Sequence, residues 1–207
     1  MRKEILDFLR PITEEEQRVL EGKKDVQRGI YTSRKHFTVE SAKLLQQGKL
    51  ITVRPHTRFV HFPRHGHNYI EVFYVCQGSV THVINEEQVT VRQGELLFLN
   101  QYVEHEILPT GEEDLAINFI VLPEFFDVAF SMIEKNNVLA DFLVNTLKDK
   151  NGISQYLYFQ VAEHLQIQNL MENMIISLAD KQGNEDQINQ HTMGLVFLHL
   201  LNSVRSL

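Results

Sequence analysis

The residues whose types and spacing can do chemistry lie in two short stretches. The first is His65-Gly66-His67-Asn68-Tyr69-Ile70-Glu71. His65, His67 and Glu71 share odd parity, so an extended backbone points all three to one face. Two imidazoles and a carboxylate on one face begin a site for a divalent metal, and zinc, iron, nickel and manganese all suit such donors. Tyr69, Phe73 and Val75 fall on the same face, while Val72, Tyr74 and Cys76 point the other way. The second stretch runs from Gly94 through an apolar strand to Asn100, Tyr102 and His105. In a closed barrel, that last histidine can return beside the first group. A plainer reading stands next to the metal: polar residues lining a barrel, bonded to one another or to an organic ligand that they orient.

The elements that must position these residues separate into three zones. Residues 1–50 are charged and read as short helices packing on the rest. Thr13-Glu14-Glu15-Glu16 has the form of a capping box, and Gly48 is a fitting stop for a short run over 41–47. Residues 51–122 change to strand-sized runs at 50–54, 59–62, 71–76, 79–84, 88–92, 95–99 and 115–122, bounded by Gly, Pro or Asn. Asn85-Glu86-Glu87 reads as a hairpin link. So many short strands favour a barrel or sandwich over an α/β fold. Residues 123–207 turn mainly helical. Phe126, Phe130 and Ile133, then Leu139, Phe142, Leu143 and Leu147, recur at helical spacing, and 153–159 could add a strand. Leu170, Met171, Met174, Ile175 and Leu178 form one stripe. Met193, Val196, Phe197, Leu200, Leu201 and Val204 form another, with Gly183-Asn184-Glu185 between them, so the two make an antiparallel helical pair.

Composition narrows the class. The chain has 207 residues, 43% hydrophobic and 23% charged, with 27 acidic against 20 basic side chains and a net charge of −7. That balance argues against this chain lying on a nucleic-acid backbone or an anionic membrane. Charges in Met1-Arg2-Lys3-Glu4 occupy the place of a signal peptide's apolar stretch. The longest apolar run, around 195–201, is broken by His199 and falls far short of the roughly 20 residues of a membrane span. A single cysteine, Cys76, excludes an internal disulfide. The expected location is the cytoplasm.

His65-x-His67-x3-Glu71-x6-Gly78 resembles the first cupin motif, spacing included. Gly94-x5-Asn100-x-Tyr102-x2-His105 is similar to the second, with Asn100, Tyr102 and Pro109 standing where that family has Pro, Gly and Asn. The four metal-ligand positions of the cupin pattern hold His65, His67, Glu71 and His105. More narrowly, Phe62-Pro63-Arg64-His65, then Glu71-Val72-Phe73-Tyr74-Val75 and Gly78, resemble the sensor half of AraC/XylS-type transcription regulators. The order of barrel first and helical pair second is also similar. The resemblance implies a mainly β fold with a helical appendix: a cupin jelly-roll barrel over 51–122 followed by a helical dimerisation region. It implies a small-molecule effector, such as a sugar, held by His65, His67, Tyr69, Glu71, Phe73 and His105. It also implies a homodimer through the C-terminal helices, with Phe197 and Leu201 as contacts. DNA would be bound only through a helix-turn-helix module that this chain lacks. No cofactor is required; a divalent metal (Zn, Fe, Ni or Mn) on His65, His67, Glu71 and His105 is the candidate. On this reading the chain is not an enzyme. The rival is a metal-dependent cupin enzyme, a sugar isomerase or dioxygenase, against which the absence of an acid/base partner near the motif counts.

The remaining candidates read more plainly. Phe98 could stack on a ring-shaped ligand, and Arg58 and Arg64 could meet an anionic effector at the barrel mouth. His56, His61 and His82 read as structural or surface histidines.

Overall fold

In the computed structural model, which describes residues 1–133, 144, 145, 147, 153–180 and 184–205, ten strands pair into two five-stranded sheets. The first sheet takes β1 (Thr38–Val39), β3 (Phe62–His67), β8 (His105–Ile107), β5 (Ser79–Ile84) and β6 (Glu87–Arg92), in that spatial order. The second takes β10 (Tyr156–Phe159), β7 (Leu96–Leu99), β4 (Ile70–Gln77), β9 (Leu115–Val121) and β2 (Ile51–Pro55). Every pairing is antiparallel except β1 with β3. The architecture is the expected one, mainly β with a helical appendix, and the barrel draws one strand from each flanking zone.

Side-chain alternation divides the apolar residues between two cores. On β4, Phe73 and Val75 point into the barrel with Tyr69, Leu97, Leu99, Ala116 and Ile120. Val72, Tyr74 and Cys76 point out, into a second core with Phe98, Ile117 and Phe119 that the helices cover. A strand buried on both faces reads as a continuous apolar run, as 72–76 does. The β5–β6 hairpin turns on two residues, Asn85 and Glu86, with φ of 51° and 68°. Two positive φ values make the tight turn whose twist matches the strands it joins.

The N-terminal zone holds α1 (Lys3–Leu9), α2 (Glu14–Leu20), α3 (Arg28–Tyr31) and α4 (Ser41–Leu44). The capping box at Thr13 forms as expected, with Glu16 N donating to Thr13 Oγ1 at 3.2 Å and Thr13 N donating to Glu16 Oε2 at 2.8 Å. Ile5 and Leu9 of α1 join the outer core, while Tyr31, Phe37 and Val39 close the inner one. The run expected at 59–62 does not form. Phe59 has φ of 68°, a turn conformation, and its N–H donates to Thr110 O at 3.1 Å, so the strand starts at Phe62 instead.

After β9 the chain makes a 3-10 turn at Pro123–Phe126 and α5 (Asp127–Ser131). The long helices α6 (Leu165–Asp180) and α7 (Glu185–Arg205) follow β10. Ile167, Met171, Met174 and Ile175 of α6, and Met193, Val196, Phe197, Leu200 and Leu201 of α7, all enter the outer core. Tyr74 Oη donates to Gln168 Oε1 at 2.6 Å, and Gln168 Nε2 donates to Gly94 O at 2.9 Å, which ties α6 to the barrel. Phe197 is fully buried, its ring parallel to that of Phe126 at 5.6 Å. Phe197 and Leu201, expected at a dimer contact, are therefore core residues of a single chain. Leu139, Phe142, Leu143, Gly183 and the side chain of Val204 lie outside the described residues. Among the described residues no helix is long and apolar enough to cross a membrane.

Candidate metal and ligand site

Local backbone explains why the histidines meet. Strand β3 carries a bulge between Phe62 and His65: Phe62 pairs with Ile107 and His65 with His105, so that Pro63 and Arg64 stand against Glu106 alone. The extra residue re-phases the strand, so Phe62 and His65 both face inward despite opposite parity, their rings 4.5 Å apart. A bend at Asn68 then starts β4, which brings Glu71 in beside His67. His105 arrives from the other motif. It pairs with His65 on one side and Ile84 on the other, with the His65 and His105 rings 4.3 Å apart. The turn before it is held by Asn100 in place of the family's proline. Its Oδ1 accepts from Tyr102 N at 3.2 Å and Gln155 N at 3.2 Å, and its Nδ2 donates to Ile153 O at 2.8 Å.

His65, His67, Glu71 and His105 are between 1% and 5% exposed. Ligand atoms of His65, Glu71 and His105 all lie within 4.8 Å of one another. His105 Nε2 stands 3.5 Å from Glu71 Oε2, and His67 Nε2 stands 3.8 Å from the same oxygen. Donors bound tetrahedrally to one ion at about 2.1 Å stand about 3.4 Å apart, so these separations are compatible with a shared cation. Proton placement agrees. His65 Nδ1–H donates to Pro63 O at 2.9 Å and His67 Nδ1–H donates to Tyr69 O at 2.7 Å. A carbonyl only accepts, so in each neutral ring the lone pair is left on Nε2. Burial keeps the rings neutral, pulling His67 down to about 4, His105 to about 3 and His65 well below its ordinary value. Burial pushes Glu71 up. Nε2 of His67 and of His105 has no hydrogen-bond partner. Buried lone pairs converging on a carboxylate suit a positive ion, and the donor set fits a divalent metal.

Beside this cluster lies a cavity of about 30 Å³, bordered by Tyr31, Arg54, His56, Tyr69, Glu71 and Asn118 among others. Arg54 Nη1, His56 Nε2 and Asn118 Oδ1 on its wall are buried without a partner. The other Arg54 nitrogen, Nη2, donates to Glu15 Oε2 at 3.0 Å and Tyr31 Oη at 2.8 Å.

Of the expected ligand-binding residues, Tyr69 borders the cavity and its ring lies 4.9 Å from that of His67. Phe73 sits deeper, edge-on between His56 at 5.5 Å and His82 at 4.4 Å. Phe98 points out of the barrel, 5.8 Å from both Phe159 and Phe197, and takes no part in the site. Arg58 is no mouth residue. It is 2% exposed and clamped on Glu16, its Nε donating to Oε1 at 2.7 Å and its Nη2 to Oε2 at 3.1 Å. Arg64 is exposed and pairs with Glu104 at 3.1 Å. His61 is a surface residue paired with Glu106. His82 and His56, read as structural or surface histidines, are both buried beside Phe73 with an unpartnered Nε2. The signal for His82 was its phase, between inward Val80 and Ile84 on β5.

Residues 46–131 match the family described as the AraC-like ligand binding domain. Among solved structures the chain is similar to an apo ToxT variant from Vibrio cholerae strain SCE256, with 10% identity and a TM-score of 0.54. The match covers 78% of this chain and 58% of that one, so this chain spans less than two thirds of its length. Unsaturated fatty acid bound wild-type ToxT from the same strain matches at 11% identity and a TM-score of 0.47, over 77% of this chain and 57% of that one. KdgF from Halomonas sp. matches at 15% identity and a TM-score of 0.33, over 37% and 73%. At 10% identity the likeness to the apo ToxT variant is one of fold. No curated protein matches the chain.

Proposed function

Because residues 46–131 match the family described as the AraC-like ligand binding domain, we propose that this chain is the sensing region of a transcription regulator whose barrel holds a divalent cation beside its effector cavity. The observation that carries this is the convergence of imidazole nitrogens on Glu71 next to a polar-walled cavity. His65, Glu71 and His105 would hold the ion, with His67 at its edge. The ion would supply positive charge to which an oxygen of the effector binds. The protein's own groups do the rest: Tyr69 and Tyr31 wall the cavity, and Arg54, His56 and Asn118 offer hydrogen bonds that fix orientation. Three unpartnered polar atoms favour a polyhydroxy metabolite such as a sugar over a long apolar chain like the fatty acid held by ToxT.

Signalling in this reading is a population shift. An effector that binds one barrel state better biases whatever contacts differ between the states. The contact with a second copy belongs on the outer face of α7, where Ile188 (51% exposed) and Leu195 (42% exposed) stand seven residues apart. A DNA-binding module elsewhere in the regulator would then be presented differently. A catalytic reading has one observation in its favour, since such a donor set beside a cavity of about 30 Å³ leaves room for a water on the ion.

The test is dialysis of protein purified without a metal-binding tag against zinc, nickel, manganese and iron(II), followed by elemental analysis. Near one ion per chain, lost in Glu71→Gln and in His105→Ala while both remain folded, is the expected result. No retained ion overturns the metal part of the proposal and leaves the cavity to an organic effector alone.

A further inference from the structure

His105 differs from the other two histidines at the site in what holds it. His65 and His67 each donate Nδ1–H to a backbone carbonyl, which settles where their protons are. His105 Nδ1 instead faces another imidazole nitrogen, Nδ1 of His82, at 3.0 Å, with the two ring planes within 4° of parallel. Both side chains are buried, His82 at 0% and His105 at 1% exposure. A bond between two neutral imidazoles can run either way. If His105 donates, its Nε2 carries a lone pair facing Glu71 Oε2 at 3.5 Å. If His82 donates, that nitrogen of His105 carries a proton and cannot bind an ion.

We propose that His82 is a positioning residue of the metal site: its Nδ1 accepts the Nδ1 proton of His105, which keeps His105 Nε2 open toward the ion. The inference rests on the metal reading above and extends it to a residue that touches no ion. Three features support it. His82 lies on β5, next to the β8 strand that carries His105, and the register sets Ile84 opposite His105 and His82 opposite Ile107. Phe73 packs edge-on against the His82 ring at 4.4 Å and fixes its plane. With His82 as acceptor, all three histidines have the same tautomer and all three Nε2 atoms are lone pairs. A histidine ligand whose other nitrogen donates to a fixed acceptor is the usual arrangement at metal sites, and loss of that acceptor typically weakens metal binding 10- to 100-fold.

Two readouts test it. The first needs no metal: long-range proton–nitrogen NMR spectra of the metal-free protein identify which nitrogen of His105 is protonated. Nδ1 is expected in the wild type, with the proton moved to Nε2 in His82→Leu; an Nε2 proton in the wild type overturns the proposal. The second is zinc affinity by competition with a coloured chelator. His82→Leu should bind roughly 10- to 100-fold more weakly. His82→Asn, whose Oδ1 takes the place of the imidazole Nδ1, should recover most of the loss. Zinc bound equally well by wild type and His82→Leu overturns the role of His82 alone. Wild-type protein that binds no zinc overturns the metal reading itself, while the NMR result still decides how His82 and His105 share their proton.

Discussion

Five histidines buried in one barrel make the metal-free fold sensitive to acid, and the size of the effect follows from their burial. His56, His65, His67, His82 and His105 are all held below the ordinary histidine value, burial being the largest cause in each. His56 and His67 fall to about 4 and His105 to about 3. In the unfolded chain each takes up its proton near pH 6.5. Below that value the unfolded state therefore binds more protons than the folded one, and stability falls as pH falls. Each histidine that stays neutral when folded contributes a loss of about 1.25 kcal/mol between pH 7 and pH 5.5, so five contribute about 6 kcal/mol. Glu71, raised by burial, works in the opposite sense and takes back part of this. Against a total stability of about 5–15 kcal/mol for a domain, the loss is decisive. Urea unfolding followed by circular dichroism, with a chelator present, should show the midpoint collapsing between pH 7 and pH 5.5. His56→Leu, if it folds, should flatten that dependence by about one fifth, since it removes one of five equal contributions. An unchanged midpoint across this range would show that the barrel histidines are hydrated or already charged in the fold, and the reasoning would fail.

Two further outcomes follow from side chains that sequence reading put in the wrong place. Arg58→Met leaves Glu16 buried beside the capping box without its partner, and should cost about 3–5 kcal/mol by urea unfolding; a loss under 1 kcal/mol would mean that the pair is open to water. Ile188→Glu with Leu195→Glu should turn a dimer into a monomer in sedimentation and leave the melting temperature nearly unchanged, whereas Phe197→Glu should unfold the chain. Retention of the dimer in the double variant would move the contact away from α7.

What was legible in the sequence was what periodicity controls. Odd parity from His65 to Glu71 marked three polar groups that lie buried together, each strand being extended on its own side of the bend at 68–69. The alternation of β4 into two cores was readable from Val72 to Val75 for the same reason. Short strands escaped: β8 has three residues and β1 has two, too few for a period to show, and long-range pairing makes them. Arg58 was misjudged because its partner, Glu16, is 42 residues away on a different element. The substitution of the family's proline by Asn100 left the turn before His105 open from sequence alone. Only the approach of residues 153–155, which its side chain grips, shows how the turn is held.

Space inside the barrel separates the two kinds of occupant. An ion needs no cavity beyond the gap among His65, Glu71 and His105, whose ligand atoms already stand within 4.8 Å of one another. The adjoining cavity, at about 30 Å³, holds a water or two, since one water occupies about 10–15 Å³ by this measure. A metabolite must therefore make room. The walls formed by β4 and β9 are locked by ladder hydrogen bonds and by a dry core on their outer side. The wall formed by Tyr31, Val39 and Leu44 comes from short elements, and α3 and α4 have four residues each. Short helices gain little from their own hydrogen bonds and depend on what they pack against. An effector that entered on this side would do so at the expense of the Tyr31 contacts with Glu15, Arg54 and Phe62. Under the proposed function, effector affinity and the stability of residues 28–44 would then be coupled with opposite sign, which is the property a sensor needs and a simple storage pocket does not.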